Sequence, residues 1–121
     1  MGNRMSSDAA TPPADGARVI VEVDDELSDL MPGFLERKRA ESKTIGAALA
    51  RKDYQLVASI AHRFKGEGGS YGLELVTELG GGLEQAAKDH NDDDAMQLAD
   101  ELVKYLDRVE VVFHPTIEPT D

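Results

Sequence analysis

From Asp24 onward the apolar positions recur at intervals of three and four, which predicts a series of amphipathic helices. Asp24 or Asp25 is placed to cap a short first helix carrying Leu27, Leu30 and Met31. Pro32 suits the first turn of a longer helix, where its missing N–H costs nothing. That helix turns Phe34, Leu35, Ile45, Ala48 and Leu49 inward and ends near Arg51. Its polar middle (Lys38, Arg39, Ser42) is expected to be partly solvated. Asp53 is the N-cap of a third helix starting at Tyr54. A fourth carries Leu75, Val76, Leu79, Leu83, Ala86 and Ala87, with Gly80-Gly81-Gly82 inside it. Each glycine costs about 1 kcal/mol relative to Ala, so packing must hold this segment. Close approach of a neighbouring helix would give the glycines a purpose. Asn91 followed by Asp92, Asp93 and Asp94 marks another helix start, a capping side chain ahead of acids at the positive dipole end. The last helix is expected to carry Leu98, Leu102, Tyr105, Leu106, Val109, Val112 and Phe113, and to stop before Pro115.

Residues 17–23 alternate instead, with Val19, Val21 and Val23 on one side and Arg18, Ile20 and Glu22 on the other. This is a strand pattern, but no second strand-like run is evident to pair with it. An extended segment lying on the helices is therefore expected. Short connections between amphipathic helices predict an all-α fold, an antiparallel up-and-down four-helix bundle with a short additional N-terminal helix. The 121 residues allow one domain. Residues 1–16 are polar and rich in Gly, Ser and Pro and are expected to form a flexible N-terminal tail. The bundle domain is assigned to 17–114 and a C-terminal tail to 115–121.

Composition narrows the function. Asp and Glu number 24 against 13 Lys and Arg, a formal charge of −11 that repels nucleic-acid backbones and anionic headgroups. Nucleic acid and membrane are excluded as expected partners. There is no Cys, which rules out disulfides, thiolate metal sites and thiol catalysis. No apolar run approaches the roughly 20 residues that span a bilayer, and a cytoplasmic location is expected.

The segment from Leu56 to Gly72 carries the chemistry. On a helix at about 100° per residue, Leu56, Val57, Ile60, Phe64 and Tyr71 lie far from His62 and form a buried stripe. Gln55, Ala58, Ser59, Lys65, Gly66 and Gly69 lie within about 60° of His62. The histidine therefore points outward among small or polar residues and one cation. An exposed imidazole is substantially neutral at pH 7, so one ring nitrogen keeps a lone pair able to attack phosphorus. Lys65, one turn on, can pair with an anionic phosphoryl group. Gly66 and Gly69 clear the way for a second protein's acceptor group. An open site of this kind favours a phosphoryl carrier whose partner completes the chemistry, not an enzyme in its own right.

His62-Arg63-Phe64-Lys65-Gly66, followed by Tyr71-Gly72 and by Leu79 with Leu83-Glu84, resembles the histidine-containing phosphotransfer (HPt) domain family. The resemblance covers roughly residues 27–113, its distinctive part 61–84. It implies a four-helix bundle whose exposed histidine, His62, shuttles phosphate between aspartates of receiver domains. Lys65 matches the family's phosphate-neutralising lysine, and Gly66 and Gly69 its clearance. The expected contact surface is Gln55, Ser59, Arg63, Gly66, Gly69 and Ser70 around His62 and Lys65, with apolar contacts beside the histidine driving docking. The implied partners are response-regulator receivers and a histidine kinase of the hybrid type. No cofactor is expected on this chain, since Mg²⁺ belongs to the receiver, and a monomer suits transient docking.

Position 67 departs from the family pattern, which has a small residue where this chain has Glu67. It falls in the Ile60–Phe64–Tyr71 stripe, so its carboxylate must either reach water or be buried with a partner. His90 is read as a helix-end cap and His114 has no evident role. The acidic run Asp89–Asp94 lacks the Gly and terminal Glu of an EF-hand loop and reads as a cap. Two alternatives stay open: a module phosphorylated directly by a chemotaxis-type kinase, and a helical adaptor that is not phosphorylated. An acid–base enzyme built on His62 is disfavoured, because no carboxylate is evident to orient the ring.

Overall fold

The computed structural model describes residues 18–115. The expected N-terminal tail, 1–16, and all of the expected C-terminal tail, 115–121, except Pro115 lie outside the described residues. Four helices dominate: α1 (Met31–Ala50), α2 (Tyr54–Gly68), α3 (Glu74–Lys88) and α4 (Asp92–Arg108). Each packs on the next, and α4 closes the bundle against α1. The connections span only 51–53, 69–73 and 89–91, so consecutive helices run antiparallel. Phe34, Ile45, Val57, Phe64, Val76, Leu83, Leu102 and Leu106 fill the core.

The helix starts match the sequence reading. Pro32 lies in the first turn of α1. Asp53 caps α2 by accepting from the Leu56 N–H at 3.2 Å, and Asn91 caps α4 by accepting from Asp94 N–H at 3.2 Å. Asp92, Asp93 and Asp94 fill the first turn of α4 behind the Asn91 cap, while Asp89 ends α3.

Four expectations are corrected. The short N-terminal helix is a single 3-10 turn, Asp25–Leu27, with Asp24 accepting from the Glu26 N–H at 2.8 Å; Leu30 stays exposed. The extended segment is a true strand, β1 (Val19–Asp24). It pairs in parallel with β2 (Val109–His114), Val21 opposite Val111 and Val23 opposite Phe113. The last helix consequently ends at Arg108, and Val109, Val112 and Phe113 are strand residues. Val109 is the first residue of a β-branched run whose side chains suit a pleated surface once a partner strand is present. The middle of α1 is buried at Lys38, which is 2% exposed, and at Ser42, while Arg39 is half-buried and donates to the Leu106 carbonyl at 2.9 Å. The Lys38 ammonium sits over the Phe64 ring at 4.7 Å, bonds Glu41 at 2.8 Å and pairs with Glu67. These contacts offset its desolvation. They also answer the question of Glu67, which is half-exposed and partnered.

Candidate functional site

The site is built where α2 and α3 approach most closely. A β-carbon on Gly80 of α3 would lie 2.6 Å from the Lys65 backbone nitrogen and 2.9 Å from the Ala61 carbonyl oxygen of α2. One on Gly68 of α2 would lie 2.6 Å from the Thr77 nitrogen. Nothing but hydrogen fits at either place, and the Gly69 N–H donates to Thr77 Oγ1 at 2.8 Å beside them. Thr77, Gly80 and Glu84 follow one another along the same face of α3. The face that lets the backbones approach therefore also aims Glu84 at α2. Gly81 adds a detail: the Lys65 stem lies across it, with Cδ 3.7 Å from where a β-carbon would stand.

His62 projects from α2 with its side chain 68% exposed. Its Nδ1 lies 3.1 Å from Glu84 Oε2, and Glu84 is itself only 11% exposed. Lys65 Nζ lies 3.5 Å from Glu84 Oε1, and Lys88 Nζ 3.3 Å from Oε2. Burial works to raise the Glu84 carboxyl, but hydrogen bonds and charge from Lys88 and His62 outweigh it, and its pKa lies below the usual carboxylate value. An ionised carboxylate only accepts hydrogen bonds, so Nδ1 carries the proton and donates. In the neutral ring the lone pair is then on Nε2, on the side away from Glu84.

On α2 the positions near His62 lie at the surface, with Ala58 half-buried, and Gly69 and Ser70 stand in the 3-10 turn that follows the helix. Gln55, Ser59, Arg63, Lys65, Gly66, Gly69 and Ser70 are all exposed, and nothing lies within 4 Å of a β-carbon built on Gly66. Arg63 is engaged, donating to Glu41 on α1 at 3.1 Å. Two surface grooves of about 310 and 340 Å³ lie elsewhere, between α1 and α4 and between α3 and α4, and His62 lines neither. His90 stands at the end of α3, as expected: its backbone is left-handed, φ 54°, its N–H donates to the Ala87 carbonyl at 3.1 Å, and its ring stacks on Tyr54 with centroids 4.2 Å apart. His114 is the last residue of β2, opposite Asp24.

One expectation about the site is overturned: a carboxylate does orient the ring. In the sequence Glu84 has no role beyond its place in the family-like run Leu83-Glu84, and Lys88 carries no motif. A signal was present, since Glu84 interrupts the apolar stripe of α3 one turn after a glycine.

A bundle that exposes one carboxylate-held histidine on an open helical face defines a surface-histidine module. A family model for the Hpt domain matches residues 22–111, from within β1 to within β2, and the chain belongs to that family. Hpt domains are phosphocarrier modules that serve histidine phosphotransfer in phosphorelays and interact with receiver domains and histidine kinases. No match is found among curated proteins, and none among solved structures. No helix among the described residues is long and apolar enough to cross a membrane.

Proposed function

We propose that His62 accepts a phosphoryl group on Nε2 from a receiver-domain aspartyl phosphate and passes it to the aspartate of another receiver. The Nε2 lone pair attacks phosphorus, the N–P bond forms, and the acyl O–P bond breaks with its electron pair leaving on the aspartate carboxylate. The proton on Nδ1 stays in its hydrogen bond to Glu84, whose charge offsets the positive charge that develops on the ring. Lys65 turns from Glu84 toward the phosphoryl oxygens. The receiver brings the acidic pocket and its Mg²⁺, and a hybrid kinase supplies the phosphate. This chain needs no cofactor and acts as a cytoplasmic monomer. The observation that carries the reading is the pairing of His62 Nδ1 with Glu84 on an otherwise unobstructed surface.

The residues lining the approach are polar and cationic: Gln55, Ser59, Arg63, Lys65 and Ser70, with Gly66 and Gly69 leaving clearance. The two cations there are paired, Arg63 with Glu41 and Lys65 with Glu84. Apolar contacts beside the histidine drive docking, and Lys65 adds charge attraction when it turns toward an acidic receiver pocket.

The test is transfer of radiolabel from a panel of phosphorylated receivers to the wild type and to His62→Ala. Label stable to base, lost in acid and absent from His62→Ala supports the reading. Labelling by an isolated kinase core with ATP and no receiver would make the chain a direct kinase substrate instead. No labelling by any donor, with partner function intact in His62→Ala, would make it an adaptor.

A further inference from the structure

We propose that Lys88 is a positioning residue for His62, holding the Glu84 carboxylate in the orientation that keeps the ring proton on Nδ1. The inference rests on the proposed role of His62 and deepens it. Glu84 is gripped at both oxygens: Oε1 by Lys65 at 3.5 Å, Oε2 by Lys88 at 3.3 Å and by His62 Nδ1 at 3.1 Å. These are the charged groups that face it, two from α2 and one from α3 itself.

The two lysines are not equivalent. Lys65 stands on the same helix as the reacting nitrogen, one turn on, and is drawn to the phosphoryl group when it arrives. Its pull on Oε1 then weakens, at the moment when the ring most needs its anchor. Lys88 lies one turn beyond Glu84 on the same helix, in the favourable Glu-to-Lys i,i+4 order, and shares Oε2 with the ring nitrogen. It grips the carboxylate whether or not phosphate is present. Without Lys88, Glu84 is a nearly buried carboxylate (11% exposed) with less compensation. It then takes up a proton at higher pH, and a protonated Glu84 no longer compels Nδ1 to donate.

The test uses the whole chain and two readouts. Ring ¹⁵N shifts of His62 report the tautomer in the free protein, and single-turnover transfer from a phosphorylated receiver reports function. In wild type the neutral ring is expected to be almost entirely the Nδ1–H form. Lys88→Gln is expected to shift the ring toward a mixture of tautomers and lower the transfer rate constant at saturating receiver by roughly two- to fivefold, as an exposed ion pair allows, with the half-saturating receiver concentration unchanged. Lys88→Arg, which keeps the charge, should restore both. Unchanged ring shifts and saturating rate in Lys88→Gln would overturn the proposal. So would a loss confined to the half-saturating concentration and abolished by salt, which would make Lys88 a docking contact. If wild type accepts no phosphate while the ring responds as expected, the carrier reading fails and the positioning role stands.

Discussion

Gly80 of α3 meets the backbone of Lys65 so closely that a β-carbon there would stand 2.6 Å from its nitrogen. This contact sets the spacing that lets Glu84, one turn later, reach His62. Gly80→Ala gains up to about 1 kcal/mol in helix propensity, but the clash is with backbone, which cannot swing aside. Overpacking of that kind costs typically about 1–3 kcal/mol, and the clash is expected to win. Gly46 on the exposed side of α1 has nothing within 4 Å and makes the control. Urea unfolding should show Gly80→Ala destabilised and Gly46→Ala stabilised, a reversal that propensity alone does not give.

Gly66 separates stability from docking. It is helical, exposed and open, so Gly66→Ala is expected to stabilise α2 by up to about 1 kcal/mol. The new methyl group would stand one turn from His62, on the face a receiver must approach. Transfer from a phosphorylated receiver should therefore slow while the melting temperature rises. Faster or unchanged transfer would show that this clearance is not used.

The helices and the outward face of α2 were legible in the sequence because both depend on local order. Capping residues at Asp53 and Asn91, and a 3.6-residue period, suffice to place His62 on one side and Ile60 and Phe64 on the other. What was not legible depends on distant partners. Val109, Val112 and Phe113 continue the α4 stripe perfectly well, and only β1, some ninety residues earlier along the chain, makes them a strand. Lys38 reads as solvated until Glu67 on the next helix and the rings of Phe34 and Phe64 surround it.

That lysine makes a strong prediction. Its stem fills core volume and its ammonium ties Glu41 to Glu67. Lys38→Ala removes both and is expected to cost about 2–4 kcal/mol, below the full penalty of a broken buried pair because the two glutamates are partly exposed. Lys38→Met keeps the stem and should cost less. Chemical denaturation of the two variants measures the difference, and equal losses would assign the whole effect to charge.

Acid should weaken the fold through Glu41. Burial raises its carboxyl, but hydrogen bonds and charge from Lys38 and Arg63 prevail, and its pKa in the folded protein is lowered. A depressed folded value means that the unfolded chain binds the proton more readily. The stabilisation is complete above the unfolded value of about 4.3 and is lost as pH falls through the folded one. Glu41→Gln should therefore be less stable than wild type at pH 7. The gap should close as pH falls through the lowered pKa of the folded carboxyl, where the wild-type side chain is itself protonated. Unfolding midpoints from pH 7 to pH 2.5 check this, and a gap that persists in acid would mean that the side chain acts through packing.

Glu84→Gln bears directly on the chemistry. Glutamine keeps an acceptor oxygen and nearly the same shape, so the bundle should stay folded, but it loses the charge that obliges Nδ1 to donate. Its amide nitrogen can instead donate to an unprotonated Nδ1, which would leave the proton on Nε2 and block the attacking lone pair. It also leaves Lys65 and Lys88 without the anion they share. Loss of the partner that orients a metal-bound histidine typically costs about 10–100-fold, and by the same orienting logic a fall of that order in the transfer rate is expected. The melting temperature should change little. Once formed, phospho-His62 in this variant would have both lysines free for the phosphoryl oxygens, so its hydrolysis should be no faster than in wild type. Slow formation with an undiminished lifetime would assign Glu84 to activating the ring nitrogen, whereas equal changes in both would make it a general electrostatic support of the site.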